Sequence, residues 1–259
     1  MQLIDTHTHL YLPEFDADRE AMINRSVSSG VQKLLMPNID VRSVDAMLSA
    51  ADTFKGICLP MIGLHPTSVR NDWLVQLAEL ERISSEHRFI AVGEIGIDLY
   101  WDKTFLPEQK EALRRQVAFA IRTGLPVVIH SRNSFLELFS VLDEFRGETL
   151  TGVFHAFSGN LKDAEKAMEM GFMLGIGGPL TYKNSNLDEI VKLTGIGYLI
   201  LETDSPYLAP VPYRGNRNES SYIRIINKKL AEVLGLEEDK TASLTFENSC
   251  RLFKIKEEI

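Results

Sequence analysis

His7 and His9 stand almost at the start of the chain, with Asp5 two residues before them. Residues two apart on a strand point to one face, so both imidazoles would converge on one spot. Neutral imidazole is the commonest side-chain metal ligand, and a metal ion is a natural occupant there. Four more residues of ligand type close short apolar runs farther along. Glu94 follows Ala91-Val92-Gly93, His130 follows Val127-Val128-Ile129, His155 follows Val153-Phe154, and Asp204 follows Ile200-Leu201-Glu202-Thr203. Taken singly, His130 or His155 suits a hydrogen-bonded core histidine, Glu94 an ion pair, and Asp204 the cap of a turn. Taken together they share a need, because a polar group beside an apolar strand must find a partner. A metal cluster would supply one to all of them.

The elements that must position these residues alternate along the chain. Strands are predicted near residues 3–9, 31–36, 57–64, 89–95, 126–130, 152–155, 172–176 and 198–204. Most are apolar nearly throughout, as parallel strands buried on both faces are. Helical patterns fill the intervals. Asp72 could cap a helix whose stripe is Trp73, Leu77 and Leu80. Pro107 opens another, with Leu113, Val117, Ala120 and Ile121 on one face and Gly124 at its end. Asn160 and Asp163 have capping-box spacing, with Gly171 as the stop. Eight strands alternating with helices predict an α/β fold, a (β/α)8 TIM barrel occupying residues 1–259 as a single domain. A doubly wound open sheet is the alternative. In a barrel the C-terminal strand ends meet at one face, where active sites sit.

Six ligands exceed the needs of one catalytic zinc, which takes three protein ligands and a water. They suit two divalent ions about 3.5–4 Å apart that share a carboxylate and a hydroxide. Glu94 is the expected bridge, with His7, His9 and Asp204 on one ion and His130 and His155 on the other. The residue types leave Zn2+ and Mg2+ or Mn2+ open. Such a cluster lowers the pKa of a shared water, and Asp204 is the expected general base.

The order of motifs resembles a known family. Asp5-Thr6-His7-Thr8-His9-Leu10, Gly63-Leu64-His65-Pro66, Gly93-Glu94-Ile95-Gly96-Ile97-Asp98, Ile129-His130-Ser131-Arg132, His155-Ala156-Phe157-Ser158-Gly159 and Glu202-Thr203-Asp204-Ser205-Pro206-Tyr207-Leu208 are similar to the series of the TatD family of metal-dependent hydrolases, within the amidohydrolase superfamily. The resemblance covers nearly the whole chain, including Pro210-Val211-Pro212-Tyr213-Arg214-Gly215. It implies a metal-loaded barrel that hydrolyses phosphodiesters in DNA, often from the 3′ end. Glu94 in place of a carboxylated lysine as the bridge leans toward the same branch. Leu99 and Ser220 depart from the family pattern, which bears on substrate preference rather than on metal binding.

Around the cluster, Glu202 and Asp5 could orient ligand imidazoles through their second nitrogens, and Glu202 could equally form a buried ion pair. His65 would touch the scissile phosphate. Arg132 and Arg214 could fork onto phosphate oxygens, with a structural ion pair the alternative for Arg132. Tyr100, Trp101 and Tyr213 could stack unpaired bases, with packing the alternative for Trp101. His87 reads as a solvated loop histidine. The segment 205–220 holds three of the prolines and is expected to be a functional loop.

Composition sets the outer bounds. A hydrophobic share of 44% with 25% charged residues is that of an ordinary globular protein. The net charge of −8 excludes a broad electrostatic footprint on duplex nucleic acid. A metal cluster answers that objection locally: four neutral imidazoles, two carboxylates and a hydroxide against two divalent ions leave roughly one positive charge. No apolar run approaches a membrane span and no signal peptide opens the chain. Cys58 and Cys250 fit no metal or redox spacing. The expectation is a cytoplasmic hydrolase acting on single-stranded DNA ends, with no membrane and no obligate protein partner. The alternatives are an ester, lactone or amide hydrolase, such as an aminoacyl-tRNA deacylase, and a non-catalytic binding barrel.

Overall fold

The structure, a computed structural model, describes residues 1–100 and 102–256; Trp101 and its expected role lie outside them. Eight parallel strands alternate with helices along the chain. The strands are β1 Leu3–Asp5, β2 Val31–Met36, β3 Cys58–Pro60, β4 Val92–Asp98, β5 Val127–Arg132, β6 Gly152–Phe154, β7 Phe172–Ile176 and β8 Leu199–Leu201. The main helices are α1 Arg19–Ser28, α2 Val44–Thr53, α3 Trp73–Ser84, α4 Leu106–Thr123, α5 Phe135–Leu142, α6 Leu161–Glu169, α7 Leu187–Thr194, α8 Ile223–Leu234 and α9 Glu238–Phe253.

Ladders join β1-β2-β3 and β4-β5-β6-β7-β8. Backbone hydrogen bonds cross both remaining seams. Ile90 N–H donates to Pro60 O and Gly93 N–H to Ile62 O, at 3.0 and 2.9 Å. At the other seam Thr6 N–H donates to Leu201 O, Asp204 N–H to His7 O and His9 N–H to Ser205 O, at 3.1, 2.9 and 2.8 Å. The strands thus close into a ring.

Its inside is layered. Ile4, Leu35, Met61, Ala91, Val128, Val153, Met173 and Ile200, one from each strand or its flank, form an apolar floor with Leu252 and Phe253 of α9 beneath it. Alternate residues such as Leu34, Ile129, Phe154 and Leu174 face outward into the larger core under the helices. The helix stripes follow suit: Trp73, Leu77 and Leu80 are buried on α3, and Leu113, Val117 and Ala120 on α4. Gly124 ends α4 at φ +67°, and Asn160 and Asp163 form a reciprocal capping box on α6. Asp72 precedes α3 but does not cap its backbone, its carboxylate taking the Gln76 amide at 3.2 Å instead.

The strands differ from the sequence pattern where they approach the mouth. β1 stops at Asp5 and β8 at Leu201, so His7, His9 and Asp204 lie past their strands. There the chain exchanges ladder bonds for the seam bonds just named. β4 runs later than expected, to Asp98, and its register against β5 slips between Val92 and Ile95. Glu94 therefore sits inside a strand rather than at its end. The slip is a bulge, a device that re-aims side chains beside active sites. It depends on Gly93, where a Cβ would lie 2.7 Å from Val128 Cβ.

Candidate metal centre

Glu94 is the hub of the mouth. Its Oε2 lies 3.2 Å from His7 Nε2 and 3.7 Å from His9 Nε2. Its Oε1 lies 2.7 Å from His130 Nδ1 and 3.4 Å from both His155 Nε2 and His65 Nε2. Asp204 Oδ1 stands 3.7 Å from His7 Nε2 and 3.6 Å from His9 Nε2. Asp204 reaches this position in the left-handed region at φ +56°, an arrangement sequence patterning does not announce. The two expected sets of donors are not cleanly divided. His7 shares one group of mutually close donor atoms with His9 and Glu94 and another with His155 and Asp204, all within 4.8 Å. His7 and His155 also stack, their ring centroids 3.5 Å apart.

Charge shows what this arrangement lacks. Glu94, Glu202 and Asp204 are paired with imidazoles only; no lysine or arginine reaches them among the described residues. Burial opposes the ionisation of Glu94, yet the imidazoles of His155, His65 and His7 and the bond to His130 hold it well below the usual range. Burial likewise opposes charging of His155, but Glu202, Glu94 and Asp204 push it up to about 10. Burial pushes Asp204 up to about 7 and His9 down to about 4. Buried carboxylates whose only charged-partner candidates are imidazoles, several of them held neutral by burial, are the surroundings a divalent cation fits. The donors suit one: soft-borderline nitrogens with carboxylate oxygens.

The outer nitrogens sort the rings into roles. His155 Nδ1 faces Glu202 Oε1 at 3.0 Å, and Ala156 N–H donates to the same oxygen at 2.6 Å. This leaves Nε2 of His155 toward Glu94. His130 turns Nδ1 to Glu94 and Nε2 to Asp98 Oδ2, 2.9 Å away. Sequence reasoning gave Asp98 no role; its spacing of two and four from Gly96 and Glu94 on β4 was the available signal. His65 is different. Thr67 N–H donates to its Nδ1 at 3.2 Å, so Nδ1 is an acceptor and the neutral ring carries its proton on Nε2. By distance alone His65 groups with Glu94 and His130 as a ligand. The tautomer makes it a hydrogen-bond donor aimed into the mouth, and the tautomer is the stronger criterion because a protonated nitrogen cannot ligate.

Asp5 departs from its expected place beside a ring. Its carboxylate takes Thr203 N–H at 2.9 Å and Thr203 Oγ1–H at 2.6 Å, and meets His7 only at the backbone N–H, 3.4 Å away. Buried at the seam, it ties β1 to the end of β8 instead of orienting an imidazole. Arg132 is exposed and stacks on Tyr100, its Cζ 4.2 Å from the ring centroid. Arg214, also exposed, stacks on Tyr182 at 4.4 Å. Neither guanidinium forms an ion pair among the described residues, in contrast to Arg217 on the same loop, which pairs with Asp18 at 2.7 Å. Tyr213 lies flat against Tyr222 at 4.2 Å. His87 is exposed. No helix of the described residues is long and apolar enough to cross a membrane.

A closed ring of parallel strands with histidines and carboxylates gathered at its C-terminal mouth defines a class, the metal-dependent hydrolases built on this barrel. Known proteins narrow it. The sequence model of the family described as TatD related DNase matches residues 4–254. The chain is 35% identical to the uncharacterized metal-dependent hydrolase YabD of Bacillus subtilis, covering 98% of this chain and 99% of that one. It is 33% identical to the uncharacterized metal-dependent hydrolase TatD of Mycobacterium tuberculosis, covering 97% of each. The crystal structure of YjjV, a TatD homologue from Escherichia coli, superposes with a TM-score of 0.91 at 30% identity over 98% of both chains. The chain belongs to the TatD family of metal-dependent hydrolases.

Proposed function

We propose that this protein hydrolyses phosphodiester bonds at the ends of DNA, preferring single strands and working from the 3′ end. Two exposed guanidiniums at the mouth, Arg132 and Arg214, carry this reading: each rests on a tyrosine and has no carboxylate partner among the described residues. Such cations suit the charged non-bridging oxygens of a phosphodiester better than a neutral amide or lactone.

His7, His9, Glu94, His130, His155 and Asp204 would hold two divalent cations, which supply Lewis acidity and a water acidic enough to attack near neutral pH. The chain's own residues do the rest. Asp204, at the edge of the cluster, accepts the proton of the attacking water. His65 donates Nε2–H to a non-bridging phosphate oxygen. Arg132 and Arg214 hold the flanking phosphates, and Tyr100 beside Arg132 supports an unpaired base.

The test is digestion of end-labelled single- and double-stranded oligonucleotides, alongside an aminoacyl-tRNA and a panel of amides and lactones. Shortening from the 3′ end should stop with chelator. Asp204→Asn should lower kcat by about 100-fold or more. Activity confined to the acyl substrates would replace this reading with the amidohydrolase one. Silence on every substrate would leave a binding barrel.

A further inference from the structure

We infer that Tyr11 is a positioning residue for His9, fixing which nitrogen of that ring faces the cluster. The inference rests on reading the mouth as a metal centre. Tyr11 lies in the loop between β1 and α1, only 3% exposed. Its hydroxyl stands 2.7 Å from Pro37 O and 3.2 Å from His9 Nδ1. A carbonyl oxygen can only accept, so the single phenolic proton goes to Pro37. Were that proton turned to His9, two oxygens would face each other at 2.7 Å with no hydrogen between them. The phenol therefore offers His9 only lone pairs. His9 must carry its proton on Nδ1, and the lone pair of Nε2 is directed at Glu94 Oε2 and Asp204 Oδ1, 3.7 and 3.6 Å away.

The phenol is held in place from both sides. Pro37 directly follows β2, so that bond anchors Tyr11 to a neighbouring strand end. Arg19 of α1 donates to the carbonyls of Leu10 and Tyr11 at 2.9 and 3.1 Å and fixes the loop backbone. Tyr11 thus does for His9, without charge, what Glu202 does for His155 and Asp98 for His130. Partners of this kind are worth 10- to 100-fold in metal affinity in other proteins.

The experiment uses the full-length protein labelled with 15N-histidine, the His9 resonances being assigned from a His9→Gln variant. Long-range 1H–15N spectra of the metal-free protein should show His9 as the Nδ1–H tautomer, and Tyr11→Phe should lose that preference. Zinc affinity, measured by competition with a chromophoric chelator, should fall about tenfold in Tyr11→Phe while far-UV circular dichroism is unchanged. An Nε2–H tautomer in the wild type overturns the inference. So does a variant with unaltered tautomer and unaltered affinity. If wild-type protein takes no zinc, the metal reading fails, and the tautomer still decides the role of Tyr11. If Tyr11→Phe does not fold, the wild-type spectrum alone decides.

Discussion

Glu202 places two donors on one oxygen, the His155 ring and the Ala156 backbone. Glu202→Gln keeps an acceptor there but removes its charge, so His155 becomes a poorer donor to a cation. The expected outcome is a roughly tenfold loss of zinc affinity in chelator competition, with little change in thermal midpoint. Glu202→Ala leaves a buried backbone N–H unpaired at a cost of about 1–3 kcal/mol, and its midpoint should drop as well. At this scale the sequence was most legible where residue types are chemically distinctive. Histidines and carboxylates ending apolar runs announce themselves, and His7, His9, Glu94, His130, His155 and Asp204 do come together. What could not be read was which nitrogen each ring offers. That depends on Thr67, Asp98 and Tyr11, ordinary residues whose meaning lies in where the fold turns them.

Strand β4 shows why boundaries were harder to read than elements. Its seven residues are all buried, so no alternation marks where it begins or ends, and the bulge before Ile95 breaks the period of two on which register arguments rest. Glycines carry the compensation. Gly96 lies at φ +149°, and a Cβ there would collide with the carbonyl oxygen of His130. Gly96→Ala should therefore push β5 away from β4 and cost roughly 2 kcal/mol or more. In a chain of this size that corresponds to a fall of about 4–8 °C in the thermal midpoint, readable by calorimetry. The loop after β8 is clipped down in a comparable way. Val211 N–H donates to Thr181 Oγ1 at 2.8 Å and Tyr182 O–H to Ala209 O at 2.9 Å, so Tyr182 both anchors the loop and supports its Arg214. The prolines pointed to a stiff functional loop, but its fastening to the turn at Gly178–Thr181 involves side chains some thirty residues away.

For the molecule as a whole, the alternation of apolar runs and helical stripes points to parallel strands buried on both faces, which a barrel and a doubly wound open sheet share; the backbone bonds across both seams are what select the barrel. The closing of its seam is less visible in sequence. It relies on Asp5 with Thr203 and, outside the ring, on Arg25 of α1 bonded to Asp18 and Glu219 and on Arg217 bonded to Asp18. Arg217 and Arg25 hold Asp18 well below the usual carboxylate range. Burial opposes this for Glu219, where Arg25 and Ser221 prevail. Folded values below the unfolded ones of about 3.9 and 4.3 mean that the network adds stability above about pH 4–5 and loses it as pH falls through the folded values. Arg217→Met should raise the midpoint of acid unfolding by about a few tenths of a pH unit, followed by tryptophan fluorescence.

Because His7 and His9 belong to the first tenth of the chain and Asp204 to its last quarter, the cluster cannot exist on a ribosome-bound fragment that stops short of β8. Synthesis must pass Asp204 before a cation could find all its donors. Hydrolase activity is thereby withheld from any product that stops short of β8, and an ion at the join would act as a rivet between segments some two hundred residues apart in the polypeptide.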